Sequence, residues 1–282
     1  LSIITINRNN YIGLENTLKS VKSQSCFGIE HIIVDGASSD RSVDIIKQYA
    51  LQVGDRVRWI SEPDAGIYNA MNKGIRMASG EYVQFLNSGD CLADNDVTSK
   101  MISLLEKEGY PSILYWNMLK DMPDGRVLRD RCFAGQDISF LGFYTGTLNH
   151  SPAYIKRSLF EKYGMYDETL RIVSDWKWYL QAIVLGDETP KYVDLDVTLF
   201  DMTGVSESEG SKSKIKEERA KVLKELITAP FLSDYEHYAD DIHLMRRVHR
   251  HPWAYKLVWF VERCLFKFEK RQNKRKNKQV WG

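Results

Sequence analysis

Four cysteines, Cys26, Cys91, Cys132 and Cys264, lie far apart and form no C-x-x-C pair. Neither a zinc site nor a disulfide framework is indicated, and a reducing, cytoplasmic setting fits best. No apolar run reaches about 18 residues, so a membrane-spanning helix is not expected. The chain opens Leu1-Ser2-Ile3-Ile4-Thr5-Ile6. That is the pattern of a strand, without the charged start of a signal peptide. Neither G-x-G-x-x-G nor G-x-x-x-x-G-K-[ST] occurs, which disfavours dinucleotide and P-loop chemistry. Charge of one sign is also missing: the net charge is +1, and bulk charge argues against a nucleic-acid partner. No internal repeat is visible.

What is present suits one α/β domain, or a catalytic domain with an appendage, in 282 residues. Residues 1–6, 29–35, 57–60 and 81–86 read as strands. Between them, 12–24, about 42–49 and 67–77 read as helices; Ile12, Leu14, Leu18 and Val21 are placed on one face of the first. Strand and helix in turn mean right-handed βαβ units and a mostly parallel sheet. Ligands bind such sheets at the carboxyl ends of the strands. Asn7, Asp35, Asp64 and Asp90 follow the four strands in order. Strand ends are loops and loops are polar, but four coincidences favour a site. Further on, 113–133 reads as a hairpin around Asp124-Gly125. Residues 156–163 and 172–185 read as helices, 191–200 as a strand and 206–216 as a polar loop. Beyond about 217 the chain is helical and increasingly basic.

Three segments carry a family resemblance: Thr5-Ile6-Asn7-Arg8-Asn9, Val34-Asp35-Gly36-Ala37-Ser38-Ser39-Asp40, and Ser61 through Gly74 (SEPDAGIYNAMNKG). They resemble the donor-binding half of family-two glycosyltransferases. Asn87-Ser88-Gly89-Asp90 falls where that family carries its D-x-D-type metal motif, and Ser174-Asp175-Trp176 where it carries the catalytic carboxylate. The resemblance covers about residues 1–206. It implies a GT-A fold: a Rossmann-like, mostly parallel sheet flanked by helices. Residues 1–110 would form the nucleotide-sugar half, 111–206 a smaller acceptor half and 207–282 a C-terminal helical extension. It also implies inverting transfer from a nucleotide-diphosphate sugar, UDP-linked first and GDP-linked second. The acceptor would be a glycan or lipid-linked saccharide in polysaccharide synthesis.

Site roles follow from that resemblance. Thr5, Asn7, Asp35, Asp64, Asn87 and Lys73 are expected at the donor. Asp35 could accept from a base N–H, or merely form an Asx-turn. Gly36 is expected to let the backbone bend there. Asp40 reads as a helix cap. Arg8 and Lys73 are candidates for phosphate, with a solvated surface role as the alternative. Asp90 is the expected ligand of Mn²⁺ or Mg²⁺, hard ions that can be held by one carboxylate and keep their waters. Asn87 departs from the family pattern and ligates metal less well than aspartate. Asp175 is the expected base for the acceptor hydroxyl, with a helix cap as the alternative. His150 is placed near phosphate or acceptor. Trp176 and Trp178 would stack on a sugar or serve the core.

Trp253, Leu257, Val261, Leu265 and Phe268 recur at helical spacing beside Arg263, Lys267, Lys270 and Arg271, and Lys274-Arg275-Lys276-Asn277-Lys278 follows. An amphipathic basic helix over 253–278 could lie on an anionic membrane surface, placing the enzyme peripherally on the inner face. It could equally pack on its own domain. Two other functions remain open: a catalytically inactive nucleotide-sugar-binding subunit, which Asn87 favours, and a sugar nucleotidyltransferase. The second would carry a glycine-rich phosphate loop, where residues 1–15 have only Gly13.

Overall fold

The computed structural model of the chain describes residues 1–26, 28–122, 124–134, 138–202 and 210–280. It divides into two compact units, Leu1–Val222 and Leu223–Gly282. The first opens with β1 (Ser2–Asn7), α1 (Tyr11–Lys22), β2 (Glu30–Asp35), α2 (Ser42–Val53), β3 (Val57–Ser61), α3 (Ile67–Met77) and β4 (Tyr82–Phe85). It continues through β5 (Cys91–Leu92), α4 (Val97–Lys107), β6 (Ile113–Asp121), β7 (Val127–Asp130), α5 (Phe140–Thr145) and β8 (Ala153–Lys156). Then come α6 (Ser158–Tyr163), α7 (Ser174–Tyr179) running into a π-helical turn at Leu180–Leu185, β9 (Lys191–Asp201) and α8 (Ser211–Leu226).

The sheet runs β3-β2-β1-β4-β8-β6-β9-β5, with β7 on β6. The β3-β2-β1-β4 half is parallel throughout. The other half is mixed: β8 is antiparallel to β4 and β6, while β9 runs parallel to β6. Strands β1 and β4 are buried at every residue, as strands covered on both faces must be. Register matters most at their ends. Asn7 pairs with Asp35 and Asp35 with Ser61, so the last residues of three strands stand side by side.

Helix α1 starts at Asn10, whose side chain accepts from Gly13 N–H, and buries Leu14, Thr17, Leu18 and Val21. Ile12, expected on that face, is 61% exposed, because it lies half a turn away from it. Leu14 and Leu18 pack with Ile33, Ile46 and Tyr49; a second cluster joins Ile3, Val97, Met101, Leu114, Trp116 and Tyr154. One buried polar group is held on both sides. His31 sits between Thr5 Oγ1 (3.0 Å) and the Tyr49 hydroxyl (2.8 Å). Burial pulls its imidazole down to about 3, so it is neutral in the fold.

The expected loop at 206–216 needs correction. Residues 206–209 lie outside the described residues, and from Ser211 the chain is already helical. The first unit extends past the expected boundary at 206 to Val222. The cause is a tertiary bond. Glu218 of α8 is buried, and its carboxylate accepts from the N–H groups of Arg171 (2.9 Å), Ile172 (3.0 Å) and Val173 (3.3 Å).

In the second unit, α9 (Ala229–His249) and α10 (Pro252–Val280) are long helices. Trp253, Leu257, Val261, Leu265 and Phe268 are all exposed, and so are Trp259, Phe260 and Phe266. The side chains of residues 274–278 lie outside the described set. Among the described residues no helix is long and apolar enough to cross a membrane.

Candidate active site

The carboxyl ends of β1 and β4, the N-terminus of α3, the end of β9 and the start of α7 surround a cleft of about 1010 Å³. Asn7, Arg8, Asp64, Asn87, Asp90, His150, Asp175, Trp176, Asp201 and Arg219 line it. The structure thus brings most of the expected site residues together. It leaves out Thr5, Asp35 and Lys73.

Each of those three has a local reason. Thr5 is fully buried beneath the floor, where its hydroxyl donates to Leu86 O at 2.7 Å. Asp35 is also fully buried. Its Oδ1 accepts from Asn7 Nδ2 (2.8 Å) and Ser38 Oγ (2.6 Å), its Oδ2 from Ser38 N–H (2.9 Å) and Ser61 Oγ (2.7 Å). Four donors fill a carboxylate's four lone-pair positions, so the expected contact with a base N–H has no free lone pair to use. Asp35 instead braces the turn. The bend falls on Ala37, at φ 54°, rather than on Gly36. Gly36 provides room: a Cβ there would lie 2.2 Å from Asp64 Oδ2. Lys73 turns away from the cleft, donating to Pro63 O (2.9 Å) and pairing with Glu62 (2.8 Å).

Bracing Asp35 has a consequence for Asn7. Its Nδ2 donates to the carboxylate, which fixes the amide's orientation and leaves Oδ1 buried without a partner. Asn87 Oδ1 and Asp90 Oδ2 are likewise buried and unpartnered. Three bare acceptor oxygens therefore belong to residues lining one cleft. Buried acceptors without partners are rare, and here they fit a cation or a ligand's donors.

Helix α1 holds the loop that carries two of them. Thr17 Oγ1 donates to Asp90 O (2.7 Å) and accepts from Gly89 N–H (3.0 Å), while Asn10 Nδ2 donates to Ser88 O (3.2 Å). Gly89 has φ 109°, and a Cβ there would lie 2.5 Å from Asp201 Oδ2. Only glycine lets the end of β9 approach so closely. Asp201 N–H then donates to Asp90 Oδ1 at 3.1 Å. Burial raises the Asp90 carboxyl to about 6; the Asp201 N–H, the His150 ring and the nearby Ser151 hydroxyl oppose that rise, and the Asp201 charge adds to it. Among the described residues no group of three or more His, Cys, Asp or Glu side chains could hold a metal. The bare Asp90 oxygen, with the Asn87 amide oxygen, nonetheless fits a hard divalent ion that keeps its other ligands as water or phosphate.

Asp175 stands at the first turn of α7. Its Oδ1 accepts from the Tyr68 hydroxyl (2.9 Å) and from Trp176 N–H (2.9 Å). Its Oδ2 faces His150 Nδ1 at 2.9 Å. On the far side of that ring, His150 Nε2 meets Asn87 Nδ2 at 3.0 Å. An Nδ1–H tautomer donates to Asp175 and accepts from Asn87, so one imidazole joins the two ends of the cleft. Burial would lower the histidine's pKa, but the Asp175 bond and the charges of Asp175 and Asp90 outweigh it, and the net shift is upward. Tyr68 is pushed well above the usual tyrosine range by burial, then by Asp175, and stays a donor.

Two groups escaped the sequence reading. Tyr68, Asn69 and Asn72 sit inside the SEPDAGIYNAMNKG segment, read as donor-binding. They reach across instead: Asn69 and Asn72 donate to Glu168 (2.7 and 2.8 Å), and Asn72 also donates to Tyr166 O (2.9 Å). The other group is α8, where Glu218 and Arg219 carried no motif signal. Trp176 is buried, donates to Phe143 O (2.9 Å) and lies beneath the Arg219 guanidinium. Trp178 is a core residue, stacked on Phe160. Asp40 accepts from Ser42 N–H (2.9 Å), the first residue of α2, and from Tyr11 N–H (3.1 Å), while the N-cap position itself is Arg41.

Comparison with known proteins bears on this arrangement. Residues 2–166 match the family model described as glycosyl transferase family 2. An uncharacterised glycosyltransferase of Mycobacterium tuberculosis is 35% identical over 208 residues, 73% of this chain and 76% of that protein. A PGL/p-HBAD biosynthesis glycosyltransferase of Mycobacterium bovis is 25% identical over 203 residues, 72% of this chain and 77% of its own. Among solved structures, S. aureus TarS 1–349 in complex with UDP superposes with a TM-score of 0.59 at 18% identity, over 71% of this chain and 60% of that one. The mannosyltransferase PcManGT of Pyrobaculum calidifontis, in complex with GDP-Man and Mn²⁺, gives 0.61 at 16% identity, over 90% and 71%. Identities that low speak for the shared GT-A fold alone. The family match and the 35% relative go further: the chain belongs to glycosyl transferase family 2 and is a glycosyltransferase.

Proposed function

We propose that the chain transfers a sugar from a nucleotide-diphosphate sugar, UDP-linked first and GDP-linked second, to a hydroxyl of a glycan or lipid-linked saccharide, with inversion at the anomeric carbon. One observation carries this reading: the bare Asp90 oxygen and the Asp175 carboxylate line one cleft, joined through His150. Asp90, with Asn87, would hold Mn²⁺ or Mg²⁺, which neutralises charge growing on the departing diphosphate.

The chain's own residues do the rest. Asn7 Oδ1, rather than Asp35, offers an open acceptor to the nucleoside, and Asp64 and Arg8 flank it. Asp175 keeps a lone pair on Oδ2 beside the His150 bond, and takes the acceptor hydroxyl's proton there. Tyr68 and Trp176 N–H hold Oδ1 so that Oδ2 is the reactive oxygen. Attack by the acceptor hydroxyl opposite the diphosphate inverts the anomeric carbon in one step, without a protein nucleophile. Exposed apolar and basic residues on α10 support an anionic membrane surface as the place of work. A thermal-shift panel of UDP, GDP and their sugars with Mn²⁺ tests the donor, because ligands of the native state raise its stability. No shift with any of them would remove the donor assignment.

A further inference from the structure

Arg219 has the environment of an anion-binding residue. It projects from α8 onto the indole of Trp176, its Cζ 4.8 Å from the ring centroid. It lines the cleft with Asp175, yet its Nε is buried and makes no hydrogen bond. Among the described residues no carboxylate lies within ion-pair distance of it. Asp175 lines the same cleft and its charge reaches Arg219, but the two groups form no ion pair. Of the other cations at the cleft, Lys120 is already paired with Asp130 at 2.7 Å. Burial disfavours the charged guanidinium, and the Asp175 charge opposes this.

A desolvated guanidinium with an open donor is costly unless an anion comes to it. The stacked ring fixes the plane of the fork, and a planar fork matches two phosphoryl oxygens. Its neighbour Glu218 fixes the helix, through three backbone N–H groups of residues 171–173. The guanidinium is thus held in place before any ligand arrives.

We infer that Arg219 binds a phosphoryl group in the cleft, presented there by Trp176 and by the Glu218 latch. The inference rests on the nucleotide-sugar reading for its first source, the donor diphosphate; the other source is a phosphate on a lipid-linked acceptor.

Calorimetry on the full chain with Mn²⁺ separates the cases, using UDP and inorganic pyrophosphate as probes. Arg219→Met keeps the stem over Trp176 and removes the charge; Arg219→Lys keeps the charge and loses the fork. For a donor diphosphate, both probes should bind about ten- to hundredfold more weakly to Arg219→Met, with a smaller loss for Arg219→Lys. For an acceptor phosphate, UDP affinity should be unchanged, while pyrophosphate binding to the UDP-saturated enzyme is lost. Wild-type protein that binds pyrophosphate through Arg219 but neither UDP nor GDP would remove the donor reading and keep this site. Equal affinities of wild type and both variants for both probes, or no binding of any probe to wild type, overturn it.

Discussion

Glu218 offers a test whose first readout, the melting temperature, needs no substrate. It lies outside the matched region 2–166, on a helix that reads as a solvated basic stretch. Yet its carboxylate is 5% exposed and receives three N–H groups just before α7. Those donors belong to residues just before α7, outside any helical or strand ladder. A hydrogen bond to a charged group contributes about 1.5–3 kcal/mol, and a buried donor left bare costs about 1–3 kcal/mol. Counting the two bonds at 2.9 and 3.0 Å fully and the 3.3 Å contact little, Glu218→Ala should cost about 3–5 kcal/mol, the upper end for one substitution. For a domain of this size that is a melting temperature lower by about 8–15 °C. Glu218→Gln keeps one acceptor and should lose about half as much. The residues released, 171–173, lead directly into Asp175. A shift of about 1 Å in a reacting group can cost on the order of a hundredfold in rate. Turnover, read as nucleotide release from the donor with water or acceptor, should therefore fall by tenfold or more at a temperature where both variants are folded. A Glu218→Ala protein that melts within 1 °C of wild type and turns over normally would show that α8 is not part of the catalytic unit.

Other outcomes follow from the same geometry. Asp175→Asn should lower turnover by about 10²–10⁴-fold with donor affinity near wild type, and product NMR should show inversion; retained configuration would sink the mechanism. Asp90→Ala or EDTA should abolish transfer. Asp90→Asn should also stabilise the metal-free protein at pH 7. The folded carboxyl, raised to about 6 against an ordinary 3.8, favours the fold at low pH and loses that contribution as pH rises through 6. The gain is up to about 3 kcal/mol, at about 1.4 kcal/mol for each pH unit; an unchanged melting temperature would contradict it. His31, held down to about 3 against 6.5, stabilises the fold above pH 6.5 and loses that contribution as pH falls towards 3. A chevron series between pH 7 and 4.5 should show a shallower acid loss for His31→Gln than for wild type. Deleting residues 252–282 should release the protein from anionic liposomes; a full-length chain that never co-sediments refutes the membrane role.

Much of the parallel half was legible because its strands are buried on both faces and therefore read as apolar runs bounded by polar ends. Strand β8 was not: four residues, Ala153–Lys156, antiparallel between β4 and β6, merge in sequence with the helix that follows. Asp201 was also beyond reach. Its place beside Asp90 depends on β5 pairing with β9, Cys91 against Leu199, across more than a hundred residues. Asp35 and Lys73 show the reverse failure. Polar residues at strand ends and in a motif are equally able to bind ligand or to brace the loops that do, and only the donors around them decide which.

The SEPDAGIYNAMNKG segment shows how one motif can serve two sides of a cleft. Helix α3 starts at the cleft and packs along β1 and β2, so its sequence belongs to the donor half. Three of its polar side chains also reach across to the segment that carries Asp175. Tyr68 donates to Asp175, and Asn69 and Asn72 hold Glu168 and the backbone at Tyr166. From the other direction, Glu218 holds residues 171–173 and Tyr68 approaches Ile172 O. The carboxylate proposed as the base is thus carried on a segment, 166–175, clamped by α3 on one side and α8 on the other. Two clamps are what a base needs, since its pairing with His150 and its aim at an acceptor hydroxyl depend on the position of a short helix of six residues. The first clamp lies in the matched region and the second outside it, so family matching alone would have counted half of the support for the proposed base.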